Sequence, residues 1–285
     1  MNTLSFPAIL SKAGASKPMI AAAAAFQQEQ FPLEIEAAEG SLAAVLIAGF
    51  YQTSPGGFLV VVPSETEAGT LASDLKSLGA PSMLFPWWGT EQYRPMPRLS
   101  PVFGERTKIL SNLVLGNSVI VIVPERAFLT PVPPPAYIQN LLITLKPGGT
   151  IDTRALSEIL VSYGYTRVPK VQMQGEFALR GEVLDLRMGG DDEAYRILFD
   201  FDTVDSIKRF DPLDQSGLEK VPELLIRPLK EVIWSDERIE GLSRNLADFE
   251  EFSKNGGDLL EDLMVRGWTR SEERRVGKEC GILCR

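Results

Sequence analysis

Histidine is absent from the chain, and this one absence removes imidazole general bases, His-containing triads and histidine metal ligands together. Cysteine is nearly absent. The only two, Cys280 and Cys284, lie close to the end, so the body offers neither a disulfide framework nor a thiol nucleophile, as suits a reducing compartment. Long hydrophobic runs are also missing: the best candidate, Met19 to Phe26, is a short alanine tract, well below the roughly 20 apolar residues of a membrane helix. That tract lacks the hydrophobic centre of a secretory signal as well. Positive charge is in deficit, with 29 Lys and Arg against 38 Asp and Glu and a net charge of −9. A broad phosphate-gripping face needs the opposite balance, so a protein partner is favoured over nucleic acid. These exclusions predict a cytoplasmic protein with no membrane segment and, in this segment, no catalytic residue, no cofactor-binding residue and no metal ligand.

What is present is enough for a core: 285 residues, 44% of them hydrophobic, a length that suggests two compact units. The first half alternates helical and strand patterns in the manner of an α/β unit with a mainly parallel sheet. Helices are predicted over Pro18 to Gln30, Ser41 to Tyr51, Ser64 (as cap) to Leu78, and Ser100 to Leu115. Strands are predicted over Pro32 to Ile35, Gly57 to Val62, Ser82 to Phe85, and the β-branched run Ser118 to Val123. Pro131, Pro133, Pro134 and Pro135 then mark a boundary, because proline fits neither a helix interior nor a central strand.

Beyond it, Asn140 to Leu145 reads as a strand and Asp152 as the cap of a helix whose Leu156, Ile159, Leu160 and Tyr163 share one face until Gly164 ends it. The period then changes to two. Val183 to Arg187, Tyr195 to Phe201 and Ser206 to Phe210 read as strands, with Asp202 and Thr203 between the last two, so this unit is α+β. Past Pro228, the charged stretch Ser235 to Phe252 reads as a solvated helix.

A nucleotide-hydrolysing unit of the first type requires a glycine-rich loop ending in Gly-Lys-Ser/Thr. Here that slot reads Glu36-Ala37-Ala38-Glu39-Gly40-Ser41-Leu42-Ala43, with Leu42 and Ala43 where lysine and hydroxyl would stand, and with Glu36 and Glu39 adding repulsion for phosphate. The only Gly-Lys pair, Gly277-Lys278, is followed by Glu279.

The second unit carries a more specific pattern: Gly164-Tyr165-Thr166-Arg167-Val168, Gly175-Glu176-Phe177-Ala178-Leu179-Arg180-Gly181-Glu182-Val183-Leu184-Asp185-Leu186, and Tyr195 to Asp202. It resembles the interaction domain shared by the excinuclease protein UvrB and the transcription-repair-coupling factors. Phe85-Pro86-Trp87-Trp88-Gly89-Thr90-Glu91, with Ser100-Pro101 and Arg106, is similar to the degenerate first domain of the coupling factors. The likeness spans roughly Phe31 to Trp234.

The resemblance implies a degenerate RecA/helicase-like parallel-sheet domain over 1–135 without a phosphate loop, an inserted α+β UvrB-interaction domain over 136–228, and a helical return segment over 229–269. It also implies a role in transcription-coupled nucleotide excision repair, with the interaction domain recruiting the excinuclease protein UvrA. ATP and Mg, and contacts to RNA polymerase and DNA, would belong to motor domains outside this segment, in a parent ATP-dependent DNA translocase. Alternative readings are a UvrB-like ATPase and a free-standing adaptor for UvrA.

From Arg270 to Cys280 the chain reads RSEERRVGKEC, which resembles the in-frame translation of a sequencing-library adapter; the alternative is a natural basic helix end. On the adapter reading 270–285 is foreign to the natural protein, the body is more acidic still, and the gene is expected to continue past Thr269.

Arg167, Phe177, Arg180 and Gly181 are the candidate contacts for UvrA, with Arg180 and Gly181 expected at the start of a strand. Arginine beside an aromatic combines a bidentate carboxylate donor with desolvated area. Trp87 and Trp88 read as structural packing, and Asp200, Asp202 and Asp205 as solvated turn carboxylates rather than a metal site.

Overall fold

A computed structural model describes residues 16–54, 56–87, 101–214, 216–234 and 238–241. Trp88, the tail from Arg270 and most of the charged stretch after Ser235 lie outside these residues. Two helices, α1 (Lys17–Gln27) and α2 (Ser41–Thr53), precede strand β1 (Phe58–Val62). Helix α3 (Glu65–Ser77) leads to β2 (Ser82–Leu84), and α4 (Pro101–Val114) to β3 (Ile120–Pro124). The three strands form a parallel sheet in the order β1-β3-β2, with Val60 opposite Ile122 and Leu84 opposite the same residue from the other side.

The chemistry of β3 explains its central place. All five of its residues are buried, because both faces of the sheet are covered. Ile120 and Ile122 pack with Ala44, Ala48, Leu71 and Leu75 from α2 and α3, while Val121 and Val123 pack with Phe85, Ile109 and Leu110 on the other side. Ser64 caps α3 by accepting from the Glu67 amide at 3.2 Å, and its own hydroxyl donates to the Glu67 carboxylate. Glu65 and Glu67 stand in the first turn and Lys76 in the last, the arrangement the helix dipole favours.

The chain then passes through α5 (Glu125–Phe128) and α6 (Pro135–Asn140) to β4 (Ile143–Leu145). Helix α7 (Thr153–Ser162) is capped by Asp152, whose carboxylate accepts from the Arg154 and Ala155 amides at 2.8 and 3.0 Å. Strands β5 (Thr166–Arg167), β6 (Glu176–Arg180), β7 (Val183–Arg187), β8 (Ala194–Asp200), β9 (Thr203–Phe210) and β10 (Gly217–Lys220) form one sheet in the order β10-β9-β8-β7-β6-β5. It is an antiparallel meander except for β5, which joins β6 in parallel. Strand β11 (Leu224–Ile226) returns to pair antiparallel with β4, bringing the start and end of this unit together. The chain is thus an α/β protein.

Four sequence expectations are corrected. Pro32 to Ile35 is not a strand, having no neighbour to pair with among the described residues. Pro135 does not merely break the chain: it opens the short helix α6, where a missing N–H costs nothing, and β4 is correspondingly reduced to Ile143–Leu145. The β8–β9 turn consists of Phe201 and Asp202, with Thr203 already paired to Asp200. Arg180 and Gly181 do not start a strand: Arg180 ends β6 (Glu176–Arg180) and Gly181 lies in the turn to β7.

The two sheets meet through α4. A Cβ on Gly104 would lie 2.5 Å from the Gly189 Cα, and one on Gly189 only 2.6 Å from the Gly104 Cα, so two backbones touch where no side chain fits. Around this contact the charges are paired. Lys108 donates to the Gly190 carbonyl at 2.7 Å and pairs with Asp191 at 3.0 Å. Arg227 donates to the Gly189 carbonyl at 2.9 Å and pairs with the same Asp191 oxygen at 2.7 Å. Arg106, fully buried, forms a two-point ion pair with Glu231, donates to the Pro86 carbonyl at 2.8 Å and lies 4.0 Å from the centre of the Phe85 ring. Gly104→Ala is therefore expected to cost about 1–3 kcal/mol by overpacking, measured by urea unfolding. A cost below about 0.5 kcal/mol would mean that the backbones are not held this close.

Candidate protein-interaction face

The antiparallel sheet has two unlike faces. On one, Leu156, Leu160 and Tyr163 of the α7 segment pack against Phe177, Leu184, Leu186, Ile197 and Ile207. The other face carries a smaller apolar cluster of Val171, Ala178, Ala194 and Phe210, with charged side chains beside it. The strand period explains the division. Leu184 and Leu186 point to the α7 side, so Val183, Asp185 and Arg187 point to the other.

On this second face Asp185 is fully buried, its side chain only 1% exposed, and two arginines hold it. Arg196, its cross-strand neighbour, donates to both carboxylate oxygens at 2.7 and 2.9 Å. Arg180 donates to Asp185 at 3.3 Å while its side chain remains 57% exposed. The Arg196 guanidinium also lies 4.8 Å from the centre of the Phe210 ring, and its hydrogen bond to Asp185 raises its pKa above the ordinary arginine value.

Arg180 opens the two-residue loop Gly181-Glu182, since Arg180 pairs with Val183. Gly181 has φ +57° and Glu182 does not share that region, the pattern of a type II′ turn with glycine in first place. Arg167, exposed on β5, donates to the Leu179 carbonyl at 3.3 Å, one residue from Arg180. Arg167, Arg180 and Gly181 therefore gather at one corner of the sheet. Phe177 does not join them: it is 0% exposed and packs on the α7 side, opposite Leu186. Its candidacy as a surface contact is corrected to a core role, because strand alternation turns its ring to the α7 side, with Leu186 as its cross-strand partner. The sequence reading does not single out the Asp185–Arg196 pair, although an acid between Leu184 and Leu186 signals an out-facing carboxylate in need of a partner.

The other sequence candidates have plain surroundings. The Arg126 guanidinium lies 4.9 Å from the centre of the Trp87 ring, which packs against the core beside β3. Asp202 accepts from the Thr153 amide at 3.3 Å, next to the α7 cap. Gly40 precedes α2 with φ +58°, and Glu36 and Glu39 before it are exposed. No helix among the described residues is long and apolar enough to cross a membrane.

The core position of Phe177 is tested by truncation. Phe177→Ala should cost about 3–5 kcal/mol of stability, as for a fully buried ring. Loss of partner binding without loss of stability would instead return it to the surface.

Residues 143–231, from the first residue of β4 to the partner of Arg106, match the family model described as the UvrB interaction domain. Among curated proteins, the chain is 26% identical over 250 residues to the transcription-repair-coupling factor of Borreliella burgdorferi, covering 87% of this chain and 22% of that protein. It is 31% identical over 203 residues to the coupling factor of Rickettsia bellii, covering 70% of this chain and 18% of the relative. It is also 27% identical over 233 residues to the UvrABC system protein B of Thermosipho africanus, covering 75% and 35%. The chain spans about a fifth of the length of the coupling factors it matches. Residues 143–231 thus form a UvrB interaction domain, in a chain that corresponds to a region of the transcription-repair-coupling factors.

Proposed function

We propose that this segment serves nucleotide excision repair as a non-catalytic module that recruits the excinuclease protein UvrA, docking it on the Arg180 corner of the second sheet. The observation that carries the reading is the placement of Arg167, Arg180 and Gly181 at one exposed corner of a UvrB interaction domain. Guanidinium groups held by a carboxylate and a carbonyl lose little further freedom on binding, which favours a protein contact there. The first sheet acts as a scaffold that covers the opposite end of the domain. The family likeness supports a parent protein that moves along DNA with ATP and Mg and displaces stalled RNA polymerase in the cytoplasm, through domains other than those described. This segment holds no nucleotide in the reading, since Leu42 and Ala43 supply neither the cation nor the hydroxyl that a phosphate and its Mg require.

Titration calorimetry with purified UvrA tests the proposal. Arg180→Ala should weaken binding by roughly 2 kcal/mol or more, the loss of an interface anchor. Tight binding unchanged by the substitution would move the contact surface, and absence of binding by the unaltered chain would overturn the recruiting role. The likeness to UvrABC system protein B favours one rival, an ATPase of that kind. Nucleotide titration decides it: saturable ATP binding at micromolar concentration would replace the recruiting module with an enzyme.

A further inference from the structure

Register across the second sheet aligns four charged residues from neighbouring strands. Asp185 on β7 faces Arg196 on β8, Arg196 faces Lys208 on β9, and Lys208 faces Lys220 on β10. With strands about 4.8 Å apart, this row runs roughly 14 Å across the face that lacks α7. Ala178 continues it on β6 as a small, buried residue. Asp185 is the one acid in the row and is buried, whereas Arg196 and Lys208 are half-exposed and Lys220 exposed.

Resting on the recruiting function argued above, we infer that Asp185 is a positioning residue. It holds Arg180 and Arg196 as a preformed two-arginine clamp, and Lys208 and Lys220 extend the clamp into a basic track that takes a carboxylate-bearing protein surface. Three observations converge on this. A buried carboxylate is retained only where its charge is matched, and here both of its oxygens accept from Arg196 while Arg180 supplies a further bond. The two cations outweigh the one acid, so the cluster keeps a net positive charge directed outward. Ala194 and Phe210 beside the row are buried, and the Arg196 guanidinium lies over the Phe210 ring at 4.8 Å, a second contact that fixes its position. Net charge of −9 acts against a polyanion at long range but leaves short-range pairing with individual carboxylates intact.

The test uses the whole chain with nitrogen-15 label and two equally charged probes, a glutamate-rich peptide and a single-stranded oligonucleotide, beside purified UvrA. The peptide should shift the Nε–H signals of Arg180 and Arg196, and Asp185→Asn should abolish the Arg196 shift. For UvrA, Asp185→Asn should weaken binding roughly tenfold, yet add nothing in an Arg180→Ala/Arg196→Ala background. Lys208→Ala with Lys220→Ala, both outside the buried cluster, should weaken the peptide severalfold at unchanged melting temperature, and this holds even if Asp185→Asn fails to fold. An equal loss from Asp185→Asn in both backgrounds would reduce Asp185 to a structural role. No response to the peptide, or tighter binding of the oligonucleotide, would overturn the acidic-surface reading. If UvrA fails to bind the unaltered chain while the peptide still shifts both arginines, the recruiting function falls and the clamp stands.

Discussion

Arg106 is a whole guanidinium removed from water, and the relation between the two sheets follows from the need to neutralise it. An unpaired charge at such a site costs several kcal/mol, so the folded state requires every one of its partners in place at once. The named partners come from two stretches distant from Arg106 on α4: Phe85 and Pro86 after β2, and Glu231 after β11. Glu231 is reached only after the chain has traversed the complete second sheet. The ion pair therefore links the end of one unit to the middle of the other, and neither side satisfies its buried charge alone. It selects one docking arrangement more than it adds net stability, because desolvation offsets most of the attraction between the two groups.

The glycine pair turns this electrostatic requirement into a geometric one. Gly104 and Gly189 bring α4 against the turn that follows β7, and Lys108 and Arg227 both pair with Asp191 around it. Strand β7 is thereby anchored at its carboxyl end. Its amino end carries the Gly181-Glu182 turn and the exposed Arg180, roughly 17 Å away for five extended residues. A partner reaching that corner meets the sheet at the end remote from the first unit. Rigidity at the seam thus fixes the direction in which the corner points without occupying it.

The sequence made legible whatever depends on local period. The β-branched run before Pro124 announced a buried central strand, Ser64 and Asp152 announced helix starts, and the spacing of Leu156, Leu160 and Tyr163 announced the face that packs on the sheet. Short elements escaped, because β5, β10 and β11 have two to four residues and owe their existence to neighbours supplied by distant chain. Phe177 was ambiguous for a related reason: an aromatic in a motif can face either way, and only pairing with Leu186 fixes which. Arg106 enters the sequence reading only through the first-domain likeness, with no partner assigned to it. Its burial depends on a carboxylate 125 residues later, which no local pattern encodes.

Asp185 shows how a long-range constraint of this kind can be partly inferred. Alternation alone places it on the face opposite Leu184 and Leu186, where an isolated acid would be solvated. Burial there demands cations, and register supplies Arg196 directly opposite while the hairpin returns Arg180 alongside. A chain with an overall excess of acid thus collects positive charge on one sheet face around an internal template. Screening confines the field of that face to within about 8–10 Å at physiological salt, a range shorter than the track itself. Selectivity must then come from matching individual charges along the row, and a row with fixed strand spacing reads position as well as sign.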